Sequence, residues 1–173
     1  MSIRFVAYAV GMLCIILAGI LIIPAAIAFA EIFPVDAVAQ LGDPRIIGFF
    51  IAGFCSICFG GLVILWGRKS SGSNSAREGF AIVTFSWIIL TLFSCIPLFT
   101  YFLSQAEIIH LHCIARCFTD AYFEIMSGYT TTGASILTDI ESLPRGILFW
   151  RSMTHWFGGM GIVTLALAIF PAF

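Results

Sequence analysis

Apolar residues fall along this chain in four long runs, Phe5 to Ala30, Ile46 to Trp66, Gly79 to Leu103 and Ile147 to Phe170, separated by shorter polar stretches. Crossing the hydrocarbon core of a bilayer takes about 20 consecutive apolar residues in a helix, so each run predicts a membrane-spanning α-helix. The first three runs contain no Lys, Arg, Asp or Glu, and the fourth carries Arg151 near its start. Pro24 interrupts the first run, and Ala28-Phe29-Ala30 ahead of Glu31 has the small residues of a signal-peptide cleavage site. The run is much longer than the apolar core of such a peptide, so a retained membrane anchor is expected.

Composition agrees with the pattern. Hydrophobic residues make up 61% of the chain and charged residues 10%, and the mean hydropathy is +1.08, far above that of a soluble domain of this size. The expected fold class is therefore an all-α membrane protein. A net charge of −1 gives no reason to expect a nucleic-acid partner; membrane lipid is the expected surround.

Charge distribution orients the helices. Arg4 precedes the first run, and Arg68, Lys69 and Arg77 lie in the Ser/Gly-rich stretch between the second and third. By the positive-inside rule both segments belong on the cytoplasmic side. The connection Glu31 to Arg45 sets Glu31, Asp36 and Asp43 against a single Arg, as suits the outer face. The expected organisation is a transmembrane hairpin over 1–67 with a cytoplasmic N-terminus, a cytoplasmic linker over 68–78, and a third unit over 79–173.

Cys55 and Cys58 form a Cys-x-x-Cys, but within an apolar run and with no neighbouring His; Cys113 and Cys117 stand four apart. Metal sites need three or four converging ligands, so these cysteines read as small buried hydrophobes, and a disulfide within one helical turn is geometrically unfavourable. No nucleophile, acid and orienting group stand at a recognisable spacing, so neither an enzyme nor a bound cofactor is expected.

The third unit holds the candidate chemistry. Between the third and fourth runs lies Ser104 to Gly146, too long for a structureless loop in a compact protein. Thr119 and Asp120 are helix-start residues, Asp120 to Met126 mixes aromatic and apolar positions, and Ser127-Gly128 ends the predicted helix. Thr130-Thr-Thr-Gly-Ala134 follows, too short to cross a bilayer and too polar to face lipid, hence irregular backbone sheltered in a protein-lined cavity. In such a re-entrant segment the helix C-terminus offers partial negative charge to a cation, and the following carbonyls can replace its hydration shell. Gly133 can adopt backbone conformations closed to other residues. The threonine hydroxyls either add oxygen ligands or brace the loop. Asp120 and Glu124 either gather cations at the entrance or hydrogen-bond to the loop. Arg151 and His155, one turn apart on the fourth run, are placed to bond the loop backbone or its carboxylates, and Gly158, Gly159 and Gly161 form a seam for close helix packing.

Ser127-Gly-Tyr-Thr-Thr-Thr-Gly-Ala134, then Leu143-Pro-Arg-Gly, then Phe149-Trp-Arg-Ser-Met-Thr-His-Trp-Phe-Gly-Gly-Met-Gly-Ile162 closely resembles the first pore repeat of the Trk/Ktr/HKT superfamily of potassium transporters, in its TrkH branch. The resemblance is dense over about residues 118–168. It implies a helix, pore loop, helix unit repeated four times around one ion path in the bacterial inner membrane, with potassium as the transported ligand. Thr130, Thr131, Thr132, Gly133 and Ala134 would then form one quarter of the filter, supported by Asp120, Glu124, Gly128, Arg151 and His155. It also implies a cytosolic nucleotide-binding regulatory subunit, and it notes that sodium-preferring plant relatives carry serine where this chain has Gly133. One pore-loop motif is present in 173 residues. The expectation is a truncated or split chain completed by further pore repeats; the alternatives are a homotetrameric cation channel and a non-conducting assembly or regulatory subunit.

The orientation is testable in a variant without the native cysteines. A cysteine placed at Ser73 is expected to resist an impermeant reagent added to intact cells; labelling from outside would reverse the topology.

Overall fold

The computed structural model describes residues 2–32, 42–68, 76–106 and 108–169, with no side-chain description for Ala76 or for 162–169. Among the described residues seven helices follow one another: α1 (Ile3–Ile20), α2 (Ile22–Ile32), α3 (Pro44–Gly67), α4 (Ala76–Ser94), α5 (Ile96–Ser104), α6 (Leu111–Tyr129) and α7 (Arg145–Ile169). No strand occurs among the described residues, and the fold is an all-α membrane protein.

Three stretches are long and apolar enough to span a bilayer: Ile3–Ile32, Pro44–Gly67 and Arg77–Ser104. They correspond to the first three apolar runs, each extended by a turn or less. The fourth run forms the 25-residue α7. Two of the spans are broken rather than continuous. A proline has no N–H to give the carbonyl four residues back; Pro24 thus withholds a donor from Ile20, and the helix breaks at Leu21, while Pro97 withholds one from Phe93, and the break falls at Cys95.

Helix starts follow local chemistry. Asp43 caps α3, its carboxylate accepting from the Arg45 N–H at 2.8 Å, and Pro44 occupies the first turn, where a missing N–H costs nothing. The Arg45 guanidinium, 2.7 Å from the same carboxylate, holds Asp43 below the usual carboxylate range. A depressed folded-state value means this contribution is present above the unfolded value and is lost as pH falls through the folded one. Glu31, at the end of α2, accepts from the Arg145 N–H at 2.8 Å, so the carboxylate caps the positive end of α7 and ties the first span to the fourth. At the opposite end of the molecule the buried Glu78 accepts from the Ser2 N–H at 2.7 Å. Asp36 and Lys69, used above to orient the chain, lie outside the described residues, as do most of the linker and the outer connection.

Packing is inverted relative to a soluble protein. Large apolar side chains such as Phe54, Leu62, Leu65 and Phe80 face outward, and glycines mark several of the closest approaches between helices. Helices in lipid gain nothing by hiding leucine from an equally apolar solvent, so close backbone approach is what holds them. The α1–α3 crossing shows it. A Cβ built on Gly11 would lie 2.9 Å from the Gly60 carbonyl oxygen, and one on Gly60 would lie 2.8 Å from that of Gly11. The central core gathers Leu17, Leu21, Ala28, Phe49, Cys95, Leu98, Ile125, Ile147 and Trp150, with Trp87, Leu90 and Phe93 of α4 packed against it, so each of the described helices contributes.

The cysteines depart in part from expectation. Cys14 and Cys95 are buried, but Cys58 is exposed on the outer surface of α3. The Cys113 and Cys117 sulfurs stand 3.9 Å apart as free thiols.

Leucine at Gly60 should destabilise the solubilised protein by about 1–3 kcal/mol through overpacking. Leucine at the adjacent Gly61, where a Cβ meets nothing within 4 Å, should leave the thermal midpoint nearly unchanged. Equal midpoints for the two variants would remove the glycine crossing as a source of stability.

Candidate functional site

The helix leading to the threonine run is longer than its sequence suggests. It starts at Leu111, with His110 in extended conformation as N-cap, rather than at Thr119 or Asp120. Those residues lie inside it. The Thr119 hydroxyl donates to the Ala115 carbonyl one turn back at 2.8 Å, and Asp120 pairs with Arg116 at 3.8 Å, also one turn back. Groups that can cap a helix can equally bond within one, and no Gly or Pro in 111–119 forces a start later. The first half is largely exposed, while Ala121, Glu124, Ile125 and Ser127 to Tyr129 in the second half are buried.

The helix ends one residue beyond Gly128, in a six-residue turn. Thr130 donates its N–H to the Met126 carbonyl at 2.9 Å, Thr131 to Gly128 at 2.9 Å, and Thr132 to Ser127 at 3.0 Å. The last two bonds are those of a Schellman motif, which normally puts glycine in the left-handed position. Here Thr131 occupies it, at φ 54°. A β-branched residue there is strained, by about 1–3 kcal/mol. Gly133 is left-handed too, at φ 72°. Sequence reasoning found the second of these positions and missed the first, since nothing about a threonine announces a positive φ.

The hydroxyls brace the loop. Thr130 Oγ1 donates to the Met126 carbonyl at 2.8 Å and lies 2.8 Å from Thr132 Oγ1, Thr131 Oγ1 donates to the Thr130 carbonyl at 2.7 Å, and Ser127 Oγ donates to the Ala134 carbonyl at 2.6 Å. Among the described residues no hydrogen bond reaches the carbonyls of Thr131, Thr132 or Gly133, and this stretch is exposed. Three neutral oxygens in sequence are what a desolvated monovalent cation can use.

Beneath the loop lies a buried ion pair. Glu124 is 0% exposed; its Oε1 accepts from Arg151 Nε at 2.6 Å and from Ser135 Oγ at 2.8 Å, and its Oε2 from the Ile136 N–H at 3.2 Å. One carboxylate thus joins α6, the returning strand of the loop and α7. Both Glu124 oxygens are thus taken up by the loop and by α7. Asp120 makes neither contact with the loop nor with α7 among the described residues; its partner is Arg116. His155 bonds its own helix, Nδ1 lying 3.0 Å from the Arg151 carbonyl, rather than the loop.

Close packing seats the helix end against α7. A Cβ on Gly158 would collide with the Tyr129 carbonyl, and one on Gly128 with the Thr154 hydroxyl. A Cβ on Gly159 would lie 3.8 Å from the Thr131 methyl, an ordinary contact, and one on Gly161 would lie 3.1 Å from the Trp87 ring. On the far side the Tyr129 hydroxyl lies 2.9 Å from Ser94 Oγ, and Trp150 Nε1 donates to the Ser94 carbonyl at 2.9 Å. Ser127, Tyr129 and Trp150 stand in the motif that carries the family resemblance, but nothing about their types marked them as bonding partners of the loop, and Ser94 had no signal in the sequence.

A family model described as TrkH, cation transport protein, matches residues 46–173. The chain belongs to the TrkH family. Among curated relatives, the Trk system potassium uptake protein TrkH of Escherichia coli K12 is 36% identical over 171 residues, which cover 99% of this chain and 31% of that protein. TrkH of Halomonas elongata is 41% identical over 123 residues, 71% of this chain and 23% of the relative, and TrkG of Escherichia coli K12 is 37% identical with the same coverage. The chain thus spans about a third of the length of the E. coli TrkH relative.

Removing one partner of a buried ion pair strands the other. Arg151→Met should therefore destabilise the solubilised protein by about 3–5 kcal/mol, and adding Glu124→Gln should recover part of that loss. Denaturant titration of the two singles and the double checks it; strictly additive losses would mean that the pair is not coupled.

Proposed function

We propose that this chain forms the first of four pore repeats in a potassium uptake system of the bacterial inner membrane, with its N-terminus in the cytoplasm. The loop 130–134 supplies one quarter of the selectivity filter, and Glu124, Gly128 and Arg151 hold it. A potassium ion sheds water at backbone carbonyls and passes along the axis, with no covalent chemistry and no cofactor. The remaining repeats, or further copies of the chain, complete the ring, and a cytosolic nucleotide-binding subunit regulates it.

The observation that carries this reading is the row of uncommitted carbonyls at Thr131, Thr132 and Gly133, held by a loop whose threonine hydroxyls and threonine N–H groups are bonded. Membership of the TrkH family, with relatives named as potassium uptake proteins, supports potassium as the ion. Helix polarity adds to it. The C-terminal end of α6 points at the loop, so its partial negative charge favours a cation there.

The test places residues 1–173 in a complete frame by exchanging them for the matching part of E. coli TrkH, in cells that lack potassium uptake. The hybrid should restore growth at low potassium. Gly133→Ser should lower the potassium-to-sodium uptake ratio roughly tenfold, equivalent to about 1.4 kcal/mol of lost discrimination. A hybrid present in the membrane at normal abundance that transports no potassium would overturn the reading.

A further inference from the structure

We infer that Ser127 is the positioning residue that decides which carbonyls the loop presents to a cation, an inference that rests on the reading of 130–134 as a filter. Ser127 lies in the last turn of α6, 6% exposed. It grips the loop twice. Its carbonyl accepts the Thr132 N–H at 3.0 Å, and its hydroxyl donates to the Ala134 carbonyl at 2.6 Å. The two grips fall on either side of Gly133.

The first consequence concerns Ala134. Its carbonyl is turned back onto the helix and occupied by a short hydrogen bond, so it is withdrawn from the ion path, and Ala134 lines the mouth without serving as a ligand. The second concerns Gly133. The Thr132 N–H shares its peptide plane with the Thr131 carbonyl, and the Ala134 carbonyl anchors the plane after Ala134, so the two planes that flank Gly133 and carry the Thr132 and Gly133 carbonyls are strung between fixed ends, with Gly133 at φ 72°. The oxygens left to an ion are those of Thr131, Thr132 and Gly133; the Thr130 carbonyl already accepts the Thr131 hydroxyl. All three are neutral, and the nearest carboxylate, Glu124, is committed to Arg151 behind the loop. Selectivity among monovalent cations then rests on the spacing of these oxygens, which one serine hydroxyl maintains.

Ser127→Ala removes the hydroxyl and leaves the backbone grip. In the hybrid described above, at matched membrane abundance, the potassium-to-sodium uptake ratio should fall about two- to tenfold, the range for loss of one hydrogen bond, while potassium uptake itself persists. Ser127→Thr, which keeps the donor, should restore the ratio. An unchanged ratio in normally abundant Ser127→Ala would overturn the assignment. Should that variant fail to reach the membrane, Ser127→Cys, nearly the same size and a weak donor, takes its place: a lowered ratio supports the assignment and an unchanged one overturns it. Failure of the parent hybrid to transport potassium is a separate result and removes the filter reading itself.

Discussion

A single carboxylate organises the functional half of this molecule. Glu124 is fully buried, and its two oxygens accept from an arginine on α7, 27 residues further along the chain, from a serine hydroxyl and from a backbone N–H on the loop's return path. In hydrocarbon an irregular backbone is tolerated only where protein satisfies it, and a charge only where it is paired. The Glu124–Arg151 pair meets both requirements at once, because the carboxylate that neutralises Arg151 also holds the backbone that follows the threonine run. Without it the loop would have no fixed floor.

The rest of the fold can be read as the means of delivering α6 and α7 to that pair. Glycines at 128 and 158 let the two helices meet without intervening side chains, and Tyr129 reaches across to Ser94, at the point where Pro97 breaks the α4–α5 span. The first span contributes from outside, through Glu31 on the N-terminus of α7 and through Ala28 in the common core. The first span is thus bonded into the helices that carry the threonine loop rather than lying beside them.

Hydrophobic runs sufficed for the spans because the bilayer imposes a length, and any helix meeting it announces itself by composition. Glu124 and Arg151 were visible as candidates for a related reason, since charge is expensive in this environment and so marks a partner. What escaped was set by geometry alone. Thr119 and Asp120 cap helices in one context and bond within them in another, so the start of α6 was misplaced. His155 sits one turn from Arg151 on the correct face, yet the nearest acceptor is its own helix. Thr131 in a glycine's conformation and Ser127 folded back on Ala134 arise from how the chain turns, and a string of residue types does not encode a turn of that kind openly.

The crossing of α6 and α7 has a mechanical consequence. Where Gly158 faces the Tyr129 carbonyl and Gly159 faces the Thr131 methyl, no long side chain stands between the two segments to flex and absorb displacement. With Arg151 bonded to Glu124 below and Gly158 set against the Tyr129 carbonyl above, α7 and the end of α6 are joined at two levels. On the proposed reading of the loop as part of an ion path, a tilt of α7 would shift the backbone around Thr131 with it, and the path would answer to helix angle with no change in any residue of the loop.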